Sequence, residues 1–281
     1  MAQSLARIEM VKRLYEAAVL DDRIVGLVDF GSGGQGRIDE WSDVDAAVIL
    51  HGTDCYAFQQ DWLSWARRFG EILHFLKGNN SCPWAIYAAE PIPLRVDFIF
   101  CSGADLFWGH GLPRWPEDKS DLERMIWYET DDKQVTEDIR RHIGKKEHPR
   151  PMEKLFEEQS DSLWHHFQYL YSKFQRGELW VAREVFHKEV LERLLVLLRI
   201  EAKAFDRLSS AHAGWNVEHS LSPEGLKQLN ACIPPADRQS FKECLHNTAQ
   251  LGFAVCTTLG DRYEVQWSKA LGEKLITMTA N

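Results

Sequence analysis

"FGSGGQGRIDEWSDVDAAVIL", residues 30–50, decides the fold. A β-branched run, "RIVGLVDF" (23–30), delivers Gly31 and Ser32 into a glycine-rich turn. Ten residues further on, Asp43 and Asp45 stand one residue apart at the mouth of a second apolar run, "VDAAVIL" (44–50). Side chains alternate faces along a strand, so the two carboxylates share a face and Val44 points to the core. Their Cα atoms lie about 6–7 Å apart, and a cation is the simplest relief of their repulsion. Mg²⁺ suits the pair, because it is held by one or two carboxylates plus substrate phosphates rather than by an all-protein cage.

The turn before them completes a nucleotide reading. With no bulk at Gly31, backbone N–H groups and the Ser32 hydroxyl can hold a phosphate oxygen. The spacing is neither GxxxxGK[ST] nor GxGxxG opening a helix, which excludes two common nucleotide motifs. A third carboxylate, Asp97, sits in "LRVDFIF" (94–100) among apolar residues, where a charge is costly without a partner. Three such carboxylates can serve two Mg²⁺ ions, one on a triphosphate and one on an acceptor hydroxyl.

Outward from this stretch the first half alternates helix and strand signals. "SLARIEMVKRLYEAAVL" has Leu5, Ile8, Val11, Leu14 and Ala18 at helical spacing, and "YAFQQDWLSWARRFGEIL" has Phe58, Trp62, Trp65 and Phe69. Gly, Pro and charge punctuate "GHGLPRWPEDKSD" and "GKKEHPRPM". Beyond them the pattern is long amphipathic helices, with Leu163, Phe167, Leu170 and Phe174 on one face and Val185, Val190, Leu194 and Leu198 on another. The expected fold is α+β: a mixed-sheet domain over 1–135, then an all-α bundle over 150–281.

A net charge of −9 argues against a duplex nucleic-acid binder and is compatible with a cationic small substrate. No apolar run approaches the roughly 18–20 residues that span a bilayer, and the charged amphipathic start is unlike a signal peptide, so a cytoplasmic location is expected. Cys55, Cys82, Cys101, Cys232, Cys244 and Cys256 show no CxxC spacing and read as reduced thiols. Adjacent His165 and His166 point about 100° apart on a helix and do not make a ligand pair. Trp62 and Trp65 read as core, whereas Trp84, Trp108 and Trp115 fall in loop-like segments within reach of a ligand.

"GS" (31–32), "DVD" (43–45) and the later strand aspartate, Asp97, resemble the polymerase-β-type nucleotidyltransferase superfamily. "RFGEI" (68–72) and "RGELWVAREVFHKEVLERLLVLLRIEAK" (176–203) are similar to its antibiotic adenylyltransferase branch, the streptomycin 6-adenylyltransferases and the larger lincosamide nucleotidyltransferases. The resemblance implies a nucleotidyltransferase domain followed by a helical one, with nucleotide and acceptor bound between them. It implies Mg²⁺-dependent transfer of a nucleoside monophosphate, AMP from ATP foremost, to a hydroxyl of an aminoglycoside or lincosamide. By position, Gly31 and Ser32 would hold phosphates, Asp43 and Asp45 both metals, and Asp97 one metal and the acceptor hydroxyl. Asp105 competes with Asp97 as general base, and Lys173 and Arg176 would reach the triphosphate. Relatives reading "GSRARG" carry a cation in the turn; here the turn is "GSGGQG" and Arg37 is the nearest one. Two other readings stand beside this: a tRNA- or protein-modifying nucleotidyltransferase of toxin–antitoxin type, and a nucleotide-binding sensor without turnover. The family contains both monomers and homodimers.

Overall fold

Residues 44–50 form a strand near the middle of a six-stranded sheet, in a computed structural model that describes residues 5–34, 36, 38–76, 82–103, 119–141, 151–205, 208 and 213–280. The chain divides into two compact units, Met1–Glu147 and His148–Asn281. The first is a mixed α+β unit. Its strands are β1 (Ile24–Asp29), β2 (Val44–Leu50), β3 (Ile72–Phe75), β4 (Trp84–Tyr87), β5 (Leu94–Ser102) and β6 (Ile126–Glu129), in the order β3-β4-β5-β2-β1-β6. β2 and β5 run parallel, and every other neighbouring pair is antiparallel. Burial on both faces explains why β2 reads as a nearly continuous apolar run rather than an alternating one.

Two cores sandwich the sheet. On one face α1 (Leu5–Val19), α2 (Cys55–Gln60) and α3 (Trp62–Ala66) pack Leu14, Phe58, Trp62 and Trp65 onto Val44, Val48, Phe98 and Phe100. Trp65 meets Phe69 edge-on at 4.6 Å, so the tryptophan stripe is core, as its spacing predicts. On the other face α4 (Lys119–Met125) and α5 (Gln134–Arg140) bring Leu122, Met125, Val135 and Ile139 onto Val28, Ala47, Ile49, Ile99 and Cys101. Asp45 and Asp97 share the parity of this second set, so they lie at one end of the row that α4 and α5 cover.

Two helix expectations need correction. Residues 56–73 are not one helix: α2 stops at Gln60, α3 and a 3₁₀ turn (Arg67–Phe69) follow, and Gly70 at φ 153° turns the chain into β3, so "EIL" is extended. In α1, Leu5 and Ile8 are exposed, while Arg7, Met10, Leu14 and Ala18 are buried. An arginine therefore occupies a slot that hydrophobic patterning assigns to an apolar side chain.

The second unit is all-α: α6 (Met152–Gln175), α7 (Leu179–Val185), α8 (Glu192–Glu201), α9 (Val217–Ser220), α10 (Pro223–Asn230), α11 (Arg238–Tyr263) and α12 (Lys269–Ala280), with a π-helical stretch, Phe186–Leu191, joining α7 to α8. Its core contains Leu163, Phe167, Leu170 and Phe174 from α6 and Val190, Leu194 and Leu198 from the second run, with Val185 half-buried beside them. α10 starts on Ser222, whose Oγ accepts from the Gly225 N–H at 3.1 Å with Pro223 next in sequence. α11 starts on Asp237, which accepts from the Ser240 N–H at 2.8 Å. No helix among the described residues is long and apolar enough to cross a membrane.

Candidate active site

Parallel pairing of β2 with β5 sets Asp45 directly opposite Asp97. Asp43, just before β2, lies on the same face, and one carboxylate oxygen from each of the three lies within 4.8 Å of the others. Among the described residues this is the one such group of three or more His, Cys, Asp and Glu side chains. His166 does not belong to a comparable cluster: its Nδ1 faces the Ser162 carbonyl at 3.0 Å and its Nε2 faces Glu189 at 3.2 Å, contacts that brace the helices of the second unit.

The cluster is electrostatically unfinished. Burial, then the neighbouring Asp43, Asp29 and Asp97, push the Asp45 carboxyl up to about 8, with Arg7 pulling the other way. Burial also raises Asp97, against a fork from Arg95 whose Nε and Nη2 both donate to Oδ1, at 3.0 and 2.8 Å. That guanidinium lies 5.4 Å above the Trp84 ring, which places Trp84 beside the carboxylates. A hard divalent cation fits these donors: three carboxylates converge, and the central one is held above its ordinary range by burial and by its carboxylate neighbours.

The turn before β2 is shaped by two aspartates. A Cβ built on Gly31 would lie 1.6 Å from Asp45 Oδ2, so the carboxylate occupies the space a side chain would need. The Gly31 N–H is donated to Asp29 Oδ1 at 2.9 Å, so it points into the protein rather than toward a phosphate as expected. Ser32 Oγ, by contrast, is buried without a hydrogen-bond partner, an orphaned polar atom of the kind a ligand oxygen satisfies. A Cβ on Gly33 would meet Asp29 Oδ2 at 1.8 Å, and Gly34 is wedged against the Met125 side chain and the Asp29 carbonyl. Gly31 and Gly33 thus record close approach to carboxylates, and Gly34 close approach to Met125 and the backbone.

Asp29 and Arg7 are the site residues that sequence reasoning missed. Asp29, at the end of β1, is 1% exposed and is bridged at 2.9 Å by Arg7 of α1, whose Nε also donates to the Asp43 carbonyl at 3.1 Å. Burial pushes the Asp29 carboxyl up, and Arg7 with the N–H groups of Gly31 and Gly34 offset part of that. The available signal was an arginine in phase with Met10, Leu14 and Ala18, facing a strand that ends in aspartate. Asp39 caps the loop from the other side, accepting from Trp41 N–H and Ser42 Oγ at 3.0 and 2.8 Å.

Lys173 lies in α6 of the second unit, with its ammonium 2.8 Å from Glu178, and Arg176 caps the same helix. Arg37, Asp105, Trp108 and Trp115 lie outside the described residues. A surface pocket of about 200 Å³ adjoins the carboxylates, lined by Glu40, Trp41, Asp43, Glu90, Ile92 and Arg95 among others.

No family model and no curated protein matches the chain. Among solved structures it is similar to an aminoglycoside 6-adenyltransferase from Bacillus subtilis, at 14% identity and a TM-score of 0.42 over 98% of this chain and 96% of that one. It is also similar to a nucleotidyltransferase-like protein from Exiguobacterium sibiricum 255-15, at 14% identity and a TM-score of 0.38 over 92% and 78%. Likenesses of this degree assign no activity, and the reading below rests on the carboxylates and the turn.

Proposed function

We propose that the protein is a Mg²⁺-dependent nucleotidyltransferase that moves a nucleoside monophosphate, AMP from ATP foremost, onto a hydroxyl of a small molecule and releases pyrophosphate. The observation that carries this is the convergence of Asp43, Asp45 and Asp97 within 4.8 Å beside a turn with a buried, unpartnered Ser32 Oγ. We assign the chemistry to residues 1–135 and nucleotide and substrate contacts to 150–281, in a cytoplasmic setting where NTPs are at hand.

In this reading Asp43 and Asp45 hold two Mg²⁺ ions and Asp97 one of them. Bound there, the ions neutralise triphosphate charge and acidify the acceptor hydroxyl. Ser32 Oγ donates to a phosphate oxygen, and Gly31 serves by leaving room. Asp97 takes the hydroxyl proton as the acceptor oxygen bonds to the α-phosphorus and the bond to the bridging oxygen of pyrophosphate breaks. The Arg95 fork occupies one oxygen of Asp97 and so orients the carboxylate. Lys173 contributes a cation to the triphosphate once it exchanges Glu178 for phosphate. For the acceptor we favour a cationic antibiotic, an aminoglycoside before a lincosamide, on the ground of the −9 net charge and the acidic wall of Glu40, Asp43 and Glu90.

The test is to incubate the protein with Mg²⁺, each of the four NTPs and a panel of aminoglycosides and lincosamides, reading pyrophosphate and acceptor mass together. A gain of one nucleoside monophosphate is the expected result. Mg²⁺-dependent NTP binding with no mass gain on any acceptor would instead favour the sensor reading.

A further inference from the structure

Arg7 ties together three separated segments. Its Nη2 bonds Asp29 Oδ2 at 2.9 Å, its Nε bonds the Asp43 carbonyl at 3.1 Å, and Asp29 Oδ1 in turn accepts the Gly31 N–H at 2.9 Å. The two side chains are 3% and 2% exposed. Gly33 lies flat on the pair, where a Cβ would come within 1.8 Å of Asp29 Oδ2 and 2.5 Å of Arg7 Nη2. The glycine turn that carries Ser32 and the loop that carries Asp43 therefore hang from one ion pair at the end of α1.

Stability does not account for such a pair. Removing two charges from water costs about as much as their attraction returns, and apolar replacements of similar volume are often neutral or better. The sites around it are apolar: Met10, Leu14 and Ala18 continue the same helix face into the core. What apolar side chains could not supply is direction, since one planar guanidinium fixes a carboxylate and a carbonyl at once.

We propose that Arg7 and Asp29 are a positioning pair that sets the Ser32 turn and the Asp43–Asp45 carboxylates in register for metal and nucleotide. Neither side chain contacts the reacting atoms. The proposal rests on the nucleotidyltransferase reading.

The experiment compares the full-length wild type with Arg7→Lys, with Arg7→Met and with the neutral double variant Arg7→Met/Asp29→Asn, in which the asparagine oxygen still accepts the Gly31 N–H. Three quantities are read on each: the metal-free melting midpoint, Mn²⁺ affinity by electron spin resonance, and kcat and KM for NTP and acceptor. The double variant is expected to melt no lower than Arg7→Met alone, yet to bind Mn²⁺ about 10- to 100-fold more weakly. Its kcat is expected to fall about 10²-fold, with acceptor KM little changed. Arg7→Lys keeps the charge but cannot reach both partners, and it is expected to show the same metal defect. A double variant that binds Mn²⁺ and turns over like the wild type overturns the proposal alone. Wild type that binds no Mn²⁺ overturns the nucleotidyltransferase reading and the pair's role with it.

Discussion

Among the described residues each unit buries one arginine, and the partners of the two differ. In the helical unit Arg199 is fully buried and donates to the Ala213 carbonyl at 2.6 Å, to Ser220 Oγ at 3.1 Å and to the Trp215 carbonyl. These three acceptors are neutral, and they fasten the 213–220 segment to α8. In the sheet unit Arg7 is answered by a carboxylate, and around it the balance tips the other way. Among the described residues, Asp29, Asp43, Asp45 and Asp97 gather beside the guanidiniums of Arg7 and Arg95. A guanidinium bonded to backbone carbonyls and a hydroxyl is a structural device. A cluster in which three carboxylates converge, with a carboxyl pushed up to about 8 at its centre by burial and by its neighbours, is arranged for a cation to complete.

The sharpest way to break that contrast is Asp45→Asn. Transfer should fall on the order of 10³-fold, while the metal-free protein should gain roughly 1–3 kcal/mol, because a carboxyl disfavoured by burial and then by its acidic neighbours has gone. Pyrophosphate release and a chelator melt check the two halves. Arg199→Met, in the other unit, should do the reverse: a loss of about 2–4 kcal/mol as buried carbonyls go unmet, with turnover per folded molecule unchanged, read by melting and active-fraction assay. Gly31→Ala sharpens the comparison, since its Cβ must displace the Asp45 carboxylate; kcat should drop about 10²-fold and stability about 1–3 kcal/mol, read by kinetics and denaturant titration. Ser32→Ala should cost the least, about tenfold or more in kcat, with stability equal or improved because the lost hydroxyl had no partner.

How far the site was legible follows from what each signal depends on. Asp43, Asp45 and Val44 could be placed because strand parity is a property of one segment. The meeting of Asp45 with Asp97 depends on parallel pairing of two runs far apart in sequence, which neither run encodes alone. Arg7 was hidden by the hydrophobic pattern itself: Leu5 and Ile8 completed an apolar stripe, but the buried face runs through Arg7, Met10, Leu14 and Ala18. Only a partner as distant as Asp29 makes an arginine acceptable there. The glycines of "GSGG" were legible as a turn, though what they make room for, two carboxylates and a guanidinium, comes from tertiary packing. The helical core was plain from its periodicity because its positions are filled by dispersion and burial alone.

Whether the carboxylate cluster awaits a divalent cation is read from thermal melts between about pH 5 and about pH 9, in chelator and in Mg²⁺ with a non-hydrolysable ATP analogue. The Asp45 carboxyl is raised to about 8, and those of Asp29 and Asp97 are raised in the same direction, so Asp45 keeps in the folded state a proton that the unfolded chain has released. Stability in chelator should therefore fall as pH rises from about 4 through about 8. With Mg²⁺ and the analogue that fall should flatten or reverse, since the bound ions favour the ionised carboxylates. An identical decline in both conditions, or none in chelator, would contradict the account.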